Sequence, residues 1–149
     1  MHPVWHHGAF VITTDPSRLP LEVVRQQLDA TYWAAGVSID AVQRSFTNSL
    51  VFGAYLGDAV AGFGRVVTDY AAVAYIADVL VLAEYRGQGL GTALVSAILG
   101  HPDLQSVRSW CLRTRDAHEL YERCGFTRDA TTFMYRRAAP AGPGDGEKR

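Results

Sequence analysis

The sequence is poor in the features that mark several protein classes. Only two cysteines occur in its 149 residues. Cys111 and Cys124 lie in the body of apolar segments rather than in a spaced framework, which argues against a disulfide-built domain and fits reduced thiols of a cytoplasmic protein. No apolar run approaches the ~20 residues that a membrane-spanning helix requires. The first residues show neither the basic region nor the apolar core of a secretory leader, so no membrane partner is expected. An excess of one charge is also missing. The formal net charge is −1 and the basic residues are scattered, so there is no electrostatic footprint for nucleic acid and no DNA or RNA partner is expected. With 48% hydrophobic residues, the chain can build one domain of ordinary size.

What the chain does contain is a glycine-rich turn, Tyr85-Arg86-Gly87-Gln88-Gly89-Leu90-Gly91-Thr92, set between a strand-like and a helix-like run. Val73 to Leu82 is apolar and β-branched almost throughout, as a strand buried on both faces should be. Beyond the turn, Leu90, Ala93, Leu94, Ala97 and Ile98 recur at helical spacing. Strand, turn and helix in this order leave the first helical N–H groups unpaired and facing the turn, a site suited to an anion. Arg86 adds a positive charge beside it. A Walker-type loop would need a Lys after the last glycine, and none follows. The dinucleotide fingerprint needs Gly-x-Gly-x-x-Gly and a later acidic residue, whereas this turn reads Gly-x-Gly-x-Gly and the later region reads Ser109-Trp110-Cys111.

The pattern that fits is Arg/Gln-x-x-Gly-x-Gly/Ala, carried by Arg86, Gly89 and Gly91. It resembles the acetyl-coenzyme A loop of the GNAT superfamily of N-acetyltransferases. Further on, Ala117-His118-Glu119-Leu120-Tyr121-Glu122-Arg123-Cys124-Gly125-Phe126 is similar to that superfamily's Ala-x-x-x-Tyr-x-x-x-Gly-Phe signature. The resemblance covers residues 9–137. It implies an α+β fold with a mixed, mostly antiparallel sheet, helices on both faces, and the acetyl-CoA loop between a fourth strand and a third helix.

Taken in order, residues 1–8 read as a loosely ordered arm. His2, His6 and His7 offer imidazoles there but too few partners for a metal site, and no metal is expected. A short strand over 9–14 precedes a helix from Pro20 to about Trp33 and a second one capped by Ser38. The segments 50–56 and 59–68, joined at Gly57-Asp58, predict an antiparallel hairpin. Residues 107–114 predict a strand parallel to the one before the glycine turn, because a helix lies between them. Asp116 is placed to cap the helix carrying Tyr121, residues 131–136 predict a final strand, and 138–149 read as a disordered tail.

By resemblance, the activity is transfer of an acetyl group from acetyl-CoA to a primary amine of a small molecule, amino acid or peptide. Val79, Leu80 and Val81 would bind the pantetheine arm, and Arg86, Gly87, Gln88, Gly89, Leu90, Gly91 and Thr92 the pyrophosphate. A bulge in the strand would free an N–H near Val79 for the oxyanion. Thr114 stands where many members carry an Asn that contacts coenzyme A. Tyr121 is the candidate general acid, beside a reading as a core aromatic. Asp78, an ionisable group in an apolar strand, is the first candidate for general base and Asp69 the second; an Asp–Arg structural pair is the competing reading. Arg65 either meets such a carboxylate or grips an acceptor carboxylate, with Trp33 or Phe52 along the acceptor's apolar part. A non-catalytic acetyl-CoA-binding or regulatory module is the alternative, and a homodimer is compatible with either.

Overall fold

The computed structural model describes residues 1–138. Its strands are β1 (Val4–His7), β2 (Phe10–Thr13), β3 (Leu50–Leu56), β4 (Ala59–Thr68), β5 (Val73–Val81) and β6 (Ser109–Leu112). Its helices are α1 (Leu21–Asp29), α2 (Ile39–Thr47), α3 (Leu90–Leu99) and α4 (His118–Arg123). The strands form one sheet in chain order, β1 to β6. Neighbours pair antiparallel except β5 and β6, which are parallel and joined through α3. The predicted hairpin is β3–β4, and the strand before the glycine turn becomes the fifth because an extra strand precedes it.

Helices cover both faces of the sheet. On one face, Val24 and Leu28 of α1 and Val42 and Phe46 of α2 pack with Val51, Phe63 and Leu80. Ser38 caps α2 as its sequence suggests, its Oγ accepting from the Ala41 N–H at 3.1 Å. On the other face, Leu90, Leu94, Ala97 and Ile98 of α3 pack with Phe10, Ile12, Phe52, Ala54 and Ile76. β4 lies between the two layers and is buried at every position from Ala61 to Val66. Each such aliphatic side chain contributes roughly 1.5–3 kcal/mol by leaving water.

Four expectations change. Residues 1–8 are not a loose arm: Val4–His7 pairs with Phe10–Thr13, turning at Gly8 with φ +57°. Trp5 secures this edge strand by packing at 5.9 Å from Phe52 and 6.1 Å from His101. α1 stops at Asp29, short of Trp33, where Thr31 Oγ1 donates to Leu28 O at 2.6 Å and Asp29 Oδ1 accepts the Gly36 N–H at 2.7 Å. These bonds satisfy the helix end and shape a loop over 30–38. Residues 131–136 form no strand; Phe133, Met134 and Tyr135 are 50%, 92% and 59% exposed. Strand propensity acts only where a pleated face is buried, and neither face is buried here. Asp116 does not cap α4, whose entry is closed by Thr114 Oγ1 accepting from the Ala117 N–H at 3.0 Å. The expected tail falls on 139–149, outside the described residues.

Close approach between β4 and β5 depends on Gly62, where a Cβ would lie 2.8 Å from the Leu80 carbonyl oxygen and 3.2 Å from Leu94 Cδ1. A backbone oxygen cannot move aside cheaply. Gly62→Ala should therefore cost about 1–3 kcal/mol, seen as a melting temperature lowered by several degrees. An unchanged melting curve would refute this packing.

Candidate active site

The site begins where β5 parts from its neighbours. Its ladder with β6 runs from Val73↔Ser109 to Ile76↔Leu112 and goes no further. Toward β4 the register slips: Leu80 faces Phe63, but Ala77 faces Arg65, so β5 carries one extra residue. That residue is accommodated at Asp78, which adopts φ +54°. Opposite the slip lies Gly64, where a Cβ would press on Val79 Cγ2 at 3.1 Å. A bulge is thus present where the resemblance required one. Further along, Leu82 N–H donates to Ala61 O at 2.9 Å. By alternation Leu80 also addresses β4, while the backbone groups of Val79 and Val81 turn to the open side. Val81 O already accepts from Arg86 Nε there, at 3.0 Å.

The glycine turn delivers the chain to α3. Gly89 is the N-cap at φ +79°, a conformation that favours glycine. No side chain caps the helix and its first turn holds no acidic residue, so the N–H groups of Leu90, Gly91 and Thr92 remain available to an anion. The turn is braced from an unexpected side. His7 Nε2 is 2.8 Å from Gln88 O, and its ring lies 3.3 Å from where a Gly89 Cβ would be. His7 escaped sequence reasoning because nothing local connects an N-terminal histidine to a loop that follows it by half the chain.

Between the 30–38 loop, β5 and the β6–α4 connection lies a cavity of about 530 Å³. Tyr32 and Trp33 form one wall, Tyr75 to Val79 the floor, and Arg113 to Ala117 with Tyr121 the other wall. Trp33 is a pocket wall, and its Nε1 donates to Asp78 Oδ1 at 2.9 Å. Tyr121 lines this cavity and a neighbouring groove, with Phe126 edge-on at 5.9 Å. Burial pushes its phenol up to about 12, so the hydroxyl keeps its proton at neutral pH. Thr114 also lines the cavity, although its Oγ1 is engaged by the entry to α4.

The remaining candidates are reassigned. Arg65 is not a substrate clamp: its Nε donates to Asp78 Oδ2 at 2.6 Å and its Nη1 to Ser49 Oγ at 3.1 Å. Only 5% of the Arg65 side chain and 4% of the Asp78 side chain are exposed. Asp78 reaches the cavity floor with both oxygens engaged, which makes it the anchor of the bulge and of Trp33 rather than a poised base. Phe52 is wholly buried under α3 between Trp5 and His101, away from the cavity. Asp69 also leaves the list: its Oδ1 accepts from the N–H groups of Ala71, Ala72 and Val73 in an exposed turn. Those donors, Ala71 first, hold its carboxyl below the usual range. Among the described residues no group of three or more His, Cys, Asp or Glu is placed to hold a metal, and no helix is long and apolar enough to cross a membrane.

A sheet that opens beside an uncapped, glycine-started helix, with a protonated tyrosine at the opening, is the arrangement of an acyl-group transferase. The chain belongs to the acetyltransferase (GNAT) family, whose model matches residues 20–126. It is similar to a Gibberella zeae protein named by inference as an acetyltransferase, with 28% identity over 141 residues and 78% of each chain covered. GCN5-related N-acetyltransferase 3, chloroplastic, of Arabidopsis thaliana is 31% identical over 86 residues, covering 54% of this chain and 35% of that protein. A solved structure from Xanthomonas campestris pv. campestris, assigned by inference to the same family, superimposes with a TM-score of 0.83 at 39% identity, covering 91% of this chain and 96% of that one.

Removing one member of the buried pair should be costly. Arg65→Met leaves the Asp78 carboxylate without its counter-charge, a loss of about 3–5 kcal/mol and a melting temperature lower by ten degrees or so. Arg65→Met/Asp78→Asn should recover part of it, because Asn tolerates φ > 0 and still accepts from Trp33. Equal melting of Arg65→Met and wild type would show the pair to be dispensable.

Proposed function

We propose that the protein is an N-acetyltransferase that moves an acetyl group from acetyl-CoA to a primary amine of a small molecule, amino acid or peptide, by direct attack in a ternary complex. One observation carries the reading: the unpaired edge of β5 runs from the bulge at Asp78 to the uncapped start of α3, with Tyr121 lining the cavity beside it. The residues present fit the cosubstrate. Val79 and Val81 offer strand-like backbone groups to the pantetheine arm, while Leu80 is committed to β4 and contributes its place in the strand. Arg86, Gly87, Gln88, Gly89, Leu90, Gly91 and Thr92 form an anion cradle with no acid in the first turn of its helix.

When bound, acetyl-CoA supplies an activated thioester. The Val79 N–H, released by the bulge, donates to the oxygen that gains charge as the amine attacks. The new N–C bond forms, the C–S bond breaks, and Tyr121 donates its proton to the departing sulfur. Trp33, held by Asp78, fixes the acceptor wall and narrows access for water. The amine proton leaves to solvent through the open cleft, and solvent returns a proton to the Tyr121 phenolate. A non-catalytic acetyl-CoA-binding module would have no use for a proton donor kept protonated at this place.

Thr92→Asp separates binding from folding. At the third position of α3 an acid favours the helix and repels a pyrophosphate. Calorimetry should show acetyl-CoA affinity reduced about tenfold or more with no loss of thermal stability. Equal affinity in variant and wild type would remove the cradle from the site.

Tyr121→Phe should lower kcat by ~10²-fold or more with little change in acetyl-CoA affinity. The pH profile provides a second check. Burial raises the phenol, so the donor is intact well above its ordinary value of about 10, and kcat/KM should rise as the amine loses its proton and then hold level. A fall centred near pH ~10 that persists unchanged in a stably folded Tyr121→Phe enzyme would exclude Tyr121 as the acid.

A further inference from the structure

With Arg65 spent on Asp78, three other guanidinium groups border the acceptor cavity, Arg113 and Arg115 from the segment after β6 and Arg137 from the end of the described chain. Arg115 lies flat on Tyr32, its Cζ 3.7 Å from the ring centroid. Its backbone N–H donates to the Tyr32 hydroxyl at 3.2 Å, so residue and ring are tied at two points. Arg113 lies over the Tyr135 ring at 4.5 Å. Neither takes part in an ion pair among the described residues, where the pairs are Arg25–Glu22, Arg65–Asp78 and Arg128–Glu122. Asp116 borders the same cavity without bonding to either. Asp78 adds little negative charge, since Arg65 balances it at 2.6 Å.

We infer that the acceptor is a small primary amine that also carries an oxyanion, a carboxylate first of all, and that Arg115 is the residue that selects it, with Arg113 in support. This rests on the N-acetyltransferase reading and names its substrate class. A guanidinium stacked on an aromatic face has its plane set in advance, and its N–H edge stays free to make two parallel bonds to a carboxylate or phosphate. Little rotamer freedom remains to be lost on binding. The cavity, about 530 Å³, suits a small molecule. Tyr32 joins the two ends of the site: it packs edge-on to Trp33 at 5.1 Å, and Trp33 is bonded to the bulge where acetyl transfer takes place. The anionic group is therefore gripped at the rim while the amine points to the thioester. In the transfer the N–C bond forms, the C–S bond breaks, the sulfur takes the Tyr121 proton, one amine proton goes to solvent, and solvent returns a proton to the Tyr121 phenolate. The products are the N-acetylated acid and coenzyme A.

The test is a matched panel with acetyl-CoA: α- and ω-amino acids, their carboxamides, and aminoalkyl phosphates, assayed by thiol release on wild type, Arg115→Gln and Arg115→Lys. Wild type should prefer acids to their carboxamides by tenfold or more in kcat/KM. Arg115→Gln should bring that ratio to within about threefold with the KM for acetyl-CoA unchanged, and Arg115→Lys should restore part of it. A better rate on aminoalkyl phosphates than on amino acids would identify phosphate as the oxyanion, with the same loss in Arg115→Gln. Carboxamides used as well as acids, or failure of every oxyanion-bearing amine, would overturn the inference, as would a rise in acetyl-CoA KM in Arg115→Gln, which would assign the guanidinium to the coenzyme. Calorimetry keeps the two levels apart: no binding of acetyl-CoA to wild type defeats the transferase reading itself, whereas binding without acid preference defeats only the substrate class.

Discussion

One buried carboxylate organises the site. Asp78 receives Arg65 from β4 on one oxygen and Trp33 from the loop after α1 on the other. Three segments distant in sequence therefore meet on a single charge. Buried alone, that charge would cost several kcal/mol, and so would an unpaired Arg65; together, with Ser49 and Trp33 completing their hydrogen bonds, they are tolerable. The pair also holds Asp78 at φ +54°, a backbone state that costs roughly 1–3 kcal/mol and persists only where its surroundings enforce it. That conformation makes the bulge, and the bulge redirects the backbone of β5 on the side where β6 has already turned away.

The two ends of the cleft are built from different materials. At the proposed cosubstrate end the groups on offer are backbone ones: the Val79 and Val81 edge, and the N–H groups at the start of α3. Side-chain identity matters there chiefly by omission, through glycines in the turn and the absence of an acid in the first helical turn. Even the brace from β1 acts on backbone, His7 meeting Gln88 O. At the proposed acceptor end the lining is made of side chains, with Tyr32, Trp33, Arg113 and Arg115 drawn from two loops. This division explains why a short glycine pattern can identify the cosubstrate and stay silent on the acceptor.

Legibility followed range. Hairpin β3–β4, the Ser38 cap, the parallel β5–β6 pair and the strand–turn–helix unit could be read directly, because each depends on contacts within a few residues or on the length of one connection. β1 was missed because Val4-Trp5-His6-His7 is too short to show a period of two, and its anchor, Trp5 on Phe52 and His101, is non-local. The predicted strand over 131–136 had the right residue types and found no face to bury. Phe52 was placed correctly on its strand and given the wrong surroundings, while for Arg65 the pairing with Asp78 was one of two open readings and is the one found, since alternation says which residues share a face and not what covers that face.

By itself the sequence determined the family-bearing elements: the buried strand, the Arg86-Gly89-Gly91 turn, the helix start beyond it, and Tyr121 on a short helix ended by Gly125. These are local because backbone conformation and helix polarity are set by neighbours along the chain. Only the tertiary structure decided that Arg65 belongs to Asp78, that Trp33 is tied to the bulge, that His7 supports the turn, and that Arg115 borders the cavity while Arg65 is withdrawn from it. Which partner a charged or aromatic side chain meets depends on how two helices, a sheet and two loops pack together, and that packing is a property of the whole chain.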